Sequence, residues 1–299
     1  MDTIILGVFS PSVLLGVARS TGRLEAGGLR VDDVAVPSSP AQFASLRDGE
    51  YDAVFTSPDN VLAYRFLPRN PLGELLDVEL VAAVDRGVGL CLMARPGVSN
   101  AAELSGGRLG VDVPTSGFAF VAYALLGELG VGSDDVQIVA LGSTPKRTAA
   151  LYGGGCDVTV LNAGNELVAR AHGCALLADA TRLGPYLGTA VARMREGPQD
   201  LAINRLVAVL GETATAIVAG ELDDETLDAA RQLLGLSDYA AAEHVAVLCD
   251  PVRGLVPDGS VDAASLRTLV DLRRRFLPAA ELDGMAERFD EVVRPGGLL

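Results

Sequence analysis

The sequence has no tryptophan, a single lysine and few aromatic residues of any kind. Aromatic residues make up 5% of the 299 residues, so a stacking platform for single-stranded nucleic acid would have little to be built from. With 39 acidic and 24 basic residues, the formal net charge is −15. A net negative surface repels phosphate backbones and anionic lipid headgroups. We therefore expect no nucleic acid partner and no direct insertion into a membrane.

Long hydrophobic runs are also missing. Although 49% of the residues are hydrophobic, no uninterrupted apolar run approaches the ~20 residues that span a bilayer. The first segment, MDTIILGVF, lacks the basic residues, the apolar stretch and the small-residue cleavage site of a secretory signal. Two locations stay open: the cytoplasm for the chain as written, or outside the cytoplasm if a signal and tether have been removed.

Cysteine and histidine are scarce. The four cysteines lie inside or beside apolar runs and form no C-x-x-C pair, so we interpret them as buried small hydrophobic side chains. A disulfide between Cys156 and Cys174 is an open alternative. His172 and His244 are not spaced as a metal-binding pair, and neither is predicted at a strand end. We expect no metal and no cofactor.

The chain does contain alternating strand-like and helix-like segments. Its length indicates roughly two domains of about 150 residues. A strand over 4–9 is followed by a helix over 11–22, with Ser10 as N-cap and Pro11 at its first position. The alternation restarts at GRLGVDVP (107–114), which predicts largely parallel sheets covered by helices on both faces. From about residue 199 the pattern is mostly helical, including 279–290.

One phrase occurs twice, as SLRDGEYDAVFTSPDN (45–60) and ALYGGGCDVTVLNAGN (150–165). Each copy predicts a helix, a glycine turn with positive φ, a strand and a loop. The Asp of each copy (Asp52 and Asp157) is expected to accept hydrogen bonds from nearby backbone N–H groups. Ligands bind outside the carboxyl ends of strands in open sheets, so the copies would supply facing walls of one cleft.

Three segments resemble one known family: FASLRDGEYDAVFTSPDN, MARPGVSNAAELSGGRLGVDVPTSGFAFVAYALLGELGV and VALGSTPKRTAALYGGGCDVTVLNAGNELVARAHG. The tail GLVPDGSVDAASLRTLVDLRRRFL resembles that family's closing helix. The chain is similar to the type II periplasmic-binding-protein fold, and most to the sulfonate, nitrate and thiamine-precursor solute-binding family of ABC transporters. The resemblance implies a two-lobed α/β fold with two mixed, mostly parallel sheets flanked by helices and joined by two crossover strands. Lobe 1 would be 1–87 plus 188–299, and lobe 2 the inserted 88–187.

Candidate ligand-binding residues follow the predicted strand ends and crossovers. The strongest local site is PTSGF (114–118), where hydroxyls and backbone N–H groups at a helix N-terminus suit an anion; the matching loop of the family contacts ligand. Capping of the helix without a ligand is the alternative there and for Ser10, Ser12 and Ser39. The full set is Ser10, Ser12, Ser39, Thr56, Ser57, Asp59, Asn60, Thr115, Ser116, Gly117, Phe118, Asn162, Asn165, Tyr186 and Arg86.

The cations and the carboxylate in this region are expected to play different roles. Arg86, at a predicted crossover, is the cation expected to pair with a ligand carboxylate or sulfonate. Lys146 and Arg147 are expected on an exposed helix surface. Asp59 is the one carboxylate expected in the cleft, and one acid without a partner is a weak basis for acid–base catalysis.

Two functions stay open. The first is capture of a small anionic or polar organic ligand with hinge closure, as in an ABC-importer solute-binding protein. The second is a cytoplasmic enzyme on the same fold, of lyase, desulfinase or synthase type. Catalysis needs a nucleophile, base or metal in the cleft, and the sequence offers no clear set, so binding is favoured. The expected partners are the ligand and an ABC permease, and the chain is expected to be a monomer.

Overall fold

The computed structural model describes residues 1–197 and 199–299. Within these ranges, ten strands form two five-stranded sheets. The first sheet contains β1 (Asp2–Val8), β2 (Leu29–Ala35), β3 (Ala53–Thr56), β4 (Val78–Asp85) and β10 (Thr189–Met194). The second contains β5 (Cys91–Ala94), β6 (Arg108–Val111), β7 (Gln137–Ala140), β8 (Val158–Leu161) and β9 (Ala175–Asp179).

Helices flank both sheets and continue the chain after β10. Those between strands are α1 (Val13–Ser20), α2 (Arg23–Ala26), α3 (Ser39–Arg47), α4 (Pro58–Phe66), α5 (Gly117–Glu128), α6 (Thr144–Tyr152) and α7 (Asn165–Ala171). The C-terminal helices are α8 (Asp200–Val218), α9 (Asp223–Leu234), α10 (Asp238–Leu248) and α11 (Ala263–Phe276).

Two local predictions were wrong. Ser10 is not the cap of α1; the N-cap is Ser12, whose hydroxyl accepts a hydrogen bond from the Leu15 N–H at 3.3 Å. The segment 279–290 is not an α-helix but two short 3-10 helices, Ala280–Leu282 and Met285–Glu291. Gly284 separates them with φ of 71°, a left-handed conformation that interrupts a helix.

The two sheets have the same strand order. The order is β2-β1-β3-β10-β4 in the first and β7-β6-β8-β5-β9 in the second. In the first sheet β1 is parallel to β2 and β3, while β10 is antiparallel to both β3 and β4. In the second sheet β6 is parallel to β7 and β8, while β5 is antiparallel to both β8 and β9, so β6 corresponds to β1 and β5 to β10. In each sheet one strand therefore runs antiparallel to the other four, which confirms the prediction of mixed, mostly parallel sheets.

The repeated phrase forms the same structure in both sheets. Its glycines, Gly49 and Gly154, have φ of 74° and 79°. Asp52 accepts a hydrogen bond from the N–H of Ile5 in β1, and Asp157 accepts one from the N–H of Arg108 in β6, both at 2.8 Å. Since β1 and β6 are equivalent strands, each Asp links the start of its own strand to the same neighbour.

The chain passes between the sheets twice, and the two passages touch. The first passage joins β4 to β5 and the second joins β9 to β10. The Gly188 N–H donates to the carbonyl oxygen of Asp85 at 2.9 Å. A Cβ added to Gly188 would lie 2.4 Å from the Cα of Gly87, so only hydrogen atoms fit between the two backbones.

The first passage has an unusual backbone. Gly87, Val88 and Gly89 have φ of 104°, 45° and 75°. Positive φ is strained for a β-branched residue such as Val88. Two backbone hydrogen bonds hold Val88 in place. Its N–H donates to the carbonyl oxygen of Arg253 at 2.8 Å, and its carbonyl oxygen accepts from the N–H of Ala163 at 2.9 Å. The passages lie near the predicted limits of the two lobes, 1–87 plus 188–299 and 88–187. The division into these lobes stays a prediction.

Helix α11 contacts helices of both sheets. Arg273 forms a two-point ion pair with Asp59 of α4, with N–O distances of 2.8 and 2.6 Å, and both side chains are buried. The same guanidinium lies 5.0 Å from the ring centroid of Phe120 in α5. Phe276 stacks on Phe120 at a centroid distance of 6.1 Å. The C-terminal helix therefore packs against α4, beside the first sheet, and α5, beside the second.

Helix α8 is long and apolar enough, by length and composition, to cross a membrane. Half of its apolar window is buried within the protein, where residues such as Leu206 and Leu210 pack in one cluster with Ile4 and Leu6 of β1. A helix of a protein core passes the same test of length and composition.

The cysteines are free thiols. Cys91, Cys156 and Cys174 are buried in one apolar cluster, and Cys249 is half-buried. The interpretation as buried hydrophobic side chains is confirmed for the first three, and the alternative disulfide is not formed.

The contact between the passages predicts a costly substitution. Gly188→Ala should lower the free energy of unfolding by about 1–3 kcal/mol, because an extra methyl in a packed site forces the backbone to shift. Urea denaturation measures the change. Gly127→Ala in α5 is the control: its Cβ would meet only the end of the Arg275 side chain, at 3.3 Å, so it should be neutral or stabilise the helix by up to about 1 kcal/mol. Equal stability of the two variants would contradict the close contact.

The ion pair of α11 gives a second prediction. Arg273→Met should cost about 3–5 kcal/mol in unfolding free energy, because it leaves the Asp59 carboxylate buried without a partner. Combining it with Asp59→Leu should cost less than Arg273→Met alone. The control is Arg30→Met, since Arg30 pairs with Asp32 in the open, with side chains 66% and 45% exposed; its effect should be about 0–1 kcal/mol. Denaturation curves that show equal losses of unfolding free energy for Arg273→Met and Arg30→Met would contradict the prediction.

Candidate ligand-binding site

A cavity of about 120 Å³ lies where the carboxyl ends of strands from both sheets meet. From the first sheet, its walls include Ser10 after β1 and Thr56 at the end of β3. From the second they include Asp112 after β6 and Asn162 after β8. The two passages between the sheets contribute Val88 and Gly188. This is the position at which open α/β sheets bind ligands.

Nine of the predicted site residues line this cavity: Ser10, Ser12, Thr56, Ser57, Asn60, Ser116, Gly117, Phe118 and Asn162. The other six do not: Ser39, Asp59, Arg86, Thr115, Asn165 and Tyr186. Contact of the first nine with a ligand stays a prediction.

Three of the six residues outside the cavity wall have their polar groups bound elsewhere. Asp59, expected to be the carboxylate of the cleft, pairs with Arg273 behind the wall. Arg86 donates to Asp262 at 3.0 Å. Hydrogen bonds from Ser265, and then the pairing with Arg86, lower the pKa of the Asp262 carboxyl. Asn165 donates to the carbonyl oxygen of Asn162 at 3.0 Å.

The remaining three differ in exposure. Thr115 is exposed, one residue before the Ser116 cap of α5. Ser39 is buried as the first residue of α3. Tyr186 is buried against Gly87 of the first passage, and burial raises the pKa of its hydroxyl well above its usual value.

Arg147 lines the cavity, and its prediction as an exposed residue was wrong. It is 1% exposed and donates to the carbonyl oxygens of Gly142 and Val160, at 2.7 and 3.3 Å. It also donates to the hydroxyl of Thr144 at 3.1 Å. Its Nε has no hydrogen-bond partner among the described residues. The neighbouring Lys146 is exposed, as expected.

A sequence signal for Arg147 was present. Thr144, Arg147, Thr148 and Leu151 follow the spacing of one helix face, and all four are buried. Arg147 therefore belongs to the face that α6 turns toward the sheet, although its residue type is typical of a surface.

Two carboxylates of the cavity were also missed. Asp85 ends β4 and accepts a hydrogen bond from the Gly87 N–H at 2.7 Å; burial raises its pKa to about 6. Asp112 follows β6 and accepts a hydrogen bond from the hydroxyl of Ser116. Both lie at strand ends. The serines and asparagines were chosen because they follow predicted strands, so the same criterion could have found these two carboxylates.

His244 lines the cavity too, together with Leu248, which also lies on α10. The sequence placed this histidine away from the strand ends, and it reaches the cavity because α10 packs beside the first passage. Burial lowers its pKa to about 4, so the imidazole is neutral at pH 7. Its Nδ1 has no partner among the described residues.

Helix N-termini surround the cavity. Ser12, Ser57 and Ser116 cap α1, α4 and α5, each accepting a hydrogen bond from a backbone N–H of its own helix. Helix α6 begins at Thr144, which also lines the cavity. The partial positive charge of these termini favours acceptor groups on a ligand. The capping role, weighed as the alternative for Ser12 and Ser116, is present in the structure, and Ser57 has it too. Each of the three serines also borders the cavity.

Comparison with protein-family models gives no match. A Brucella abortus protein named as a binding protein is 27% identical over 128 residues, which is 43% of this chain and 37% of the relative. A Brucella suis protein named as a binding protein matches with the same identity, length and coverage. The match thus spans little more than a third of the curated relatives' length.

Solved structures resemble the whole chain. The alkanesulfonate-binding protein SsuA from Xanthomonas axonopodis pv. citri, bound to MOPS, has a TM-score of 0.73 at 17% identity, covering 96% of this chain and 98% of that chain. The periplasmic nitrate-binding protein NrtA from Synechocystis PCC 6803 has a TM-score of 0.75 at 14% identity, covering 98% and 86%. A Candida albicans gene product with the generic periplasmic binding protein fold has a TM-score of 0.73 at 17% identity, covering 100% and 98%. This chain therefore has the two-lobed α/β fold of the periplasmic binding proteins.

Proposed function

We propose that this chain captures a small polar organic molecule in the cavity between its two sheets, as the solute-binding component of an ABC import system. The observation that carries the proposal is a cavity lined by strand ends of both sheets and by both connecting passages. A ligand there is enclosed when the two halves approach, and it is released when they part. The similar structures of an alkanesulfonate-binding and a nitrate-binding protein support this function.

The polar groups of the cavity suit binding by hydrogen bonds from two sides. Asn60 donates to the hydroxyl of Thr56, and Asn162 donates to the carbonyl oxygen of Gly87, both at 3.1 Å. These bonds hold the amide groups in place and leave the side-chain oxygens available to ligand donors. Asn60 lies on α4, which follows a strand of the first sheet, and Asn162 directly follows a strand of the second. A ligand that contacts both would favour the closed arrangement.

Hinge closure is part of the proposal. The segments 86–90 and 184–188 would act as the hinge between lobe 1 (1–87 plus 188–299) and lobe 2 (88–187). Hinges are a few residues at the ends of elements that absorb changes of φ and ψ, and glycines occupy several of these positions, including Gly87 and Gly188.

Partner and location follow from the same likeness. The solved structures include the ligand-binding component of an ABC-type import system from Staphylococcus aureus and a periplasmic sulfonate-binding protein from Escherichia coli. We therefore propose that a membrane permease receives the ligand, that the protein works outside the cytoplasm and that it acts as a monomer.

Native mass spectrometry of protein purified without dialysis tests the function. We expect a retained small molecule that keeps its mass during incubation. Asn60→Ala and Asn162→Ala should each weaken retention about 5–30-fold, because each removes about 1–2 kcal/mol of hydrogen bonding in a buried site. Asn100→Ala, at an exposed position away from the cavity, is the control and should retain the ligand. Conversion of a bound compound would support the enzyme alternative, and a protein that retains and binds no solute would contradict the proposal.

A further inference from the structure

The charges that face the cavity do not suit a simple anion. Asp85 and Asp112 both line it, and Arg147 is the one arginine or lysine among its described lining residues. His244 contributes no charge at pH 7, because burial lowers its pKa to about 4. Asp85 remains mostly ionised at that pH, since burial raises its pKa only to about 6. Among the side chains, two carboxylates against one guanidinium leave an excess of negative charge.

Most of the donors of Arg147 are used by the protein itself. Its terminal nitrogens donate to two backbone carbonyls and to Thr144. A guanidinium that binds an anion with two parallel bonds needs an open fork of donors, and this one is largely filled. Three of its five N–H groups are bonded in this way. What remains is a second N–H of the nitrogen that bonds Gly142, and the buried Nε–H, whose nitrogen has no partner among the described residues. The Nε–H is therefore the donor of Arg147 that we assign to a ligand acceptor.

The two carboxylates can accept more hydrogen bonds, and a closer cation, than the protein supplies. Asp112 attracts Arg147 electrostatically and accepts from the Ser116 hydroxyl. Asp85 is bonded by Gly87 and Thr189, whose groups are neutral, and no salt bridge joins it to a basic side chain in the described ranges. A buried carboxylate without a cation is costly. A cation from the ligand would offset that cost.

We propose that this cavity binds an amine-bearing zwitterion, whose protonated nitrogen lies toward Asp85 and Asp112 and whose acceptor group takes the Nε–H of Arg147. The inference rests on the proposed function and narrows its ligand from an anionic or polar organic molecule to one that carries both charges. The N-terminus of α6, where Thr144 bonds Arg147, assists the acceptor end. Apolar contacts for the ligand's carbon skeleton come from Phe9, Phe55 and Phe118.

Three pairs of compounds that differ only by an amine test the ligand class. They are β-alanine and propionate, 3-aminopropane-1-sulfonate and propane-1-sulfonate, and 4-(aminomethyl)benzoate and 4-methylbenzoate. Dissociation constants are measured by titration calorimetry at pH 7.5 on the full chain after removal of any retained ligand. In at least one pair, the amine-bearing member should bind ten-fold or more tightly than its partner. The elemental composition of any co-purified ligand, obtained from its accurate mass, should include nitrogen.

Two variants test the assignment of the carboxylates. Asp85→Asn and Asp112→Asn should each reduce the preference for the amine-bearing member about ten-fold, while binding of the amine-free member stays the same or tightens. Asp134→Asn removes one negative charge from an exposed position in the 3-10 helix Ser133–Asp135 and should leave the preference unchanged. If Asp85→Asn fails to fold, judged by circular dichroism, Asp112→Asn alone decides the assignment.

The outcomes separate this inference from the proposed function. Amine-free compounds that bind as tightly as their partners would overturn the inference and leave solute capture intact. A preference that survives both substitutions would overturn it as well. If none of the six compounds binds, the inference fails; the proposed function fails with it only if no retained solute is found by mass spectrometry.

Discussion

The contact between the two passages of the chain is the constraint on which the rest of the structure depends. The backbone of Gly87 lies so close to Gly188 that no side chain fits at position 188. The hydrogen bond from the Gly188 N–H to the Asp85 carbonyl fixes that contact. Since both connections between the sheets run through this one place, it decides how the strand ends face each other and where the cavity lies.

Buried charges in this protein serve two different purposes. The Arg273–Asp59 pair is complete, because each partner satisfies the other with two bonds, and it joins α11 to α4. Arg147 is incomplete, since its Nε has no partner among the described residues and its guanidinium borders the cavity. A satisfied ion pair is a structural feature, whereas an unpartnered donor at a cavity wall is available for a ligand. Burial alone would not have distinguished the two arginines.

The sequence could predict much of the fold because the signals lie within short segments, and because one such segment occurs twice. The repeated phrase contains its own helix end, glycine turn and strand, and Asp52 and Asp157 take equivalent positions in the two sheets. Strand ends were also predictable, and nine residues chosen by that rule line one cavity. The segment 279–290 was predicted less well, because a single glycine with positive φ, Gly284, divides it.

The partners of charged side chains could not be predicted from local pattern. Asp59 follows a strand and looks like a cleft residue until Arg273, far along the chain, binds it. Arg147 and His244 look like surface or helix residues until α6 and α10 pack against the strand ends. The sequence by itself determined the elements, their alternation and the duplicated lobe, since these depend on neighbouring residues. Only the tertiary structure decided which charges neutralise each other and which face the cavity, because those pairings join residues distant in the chain.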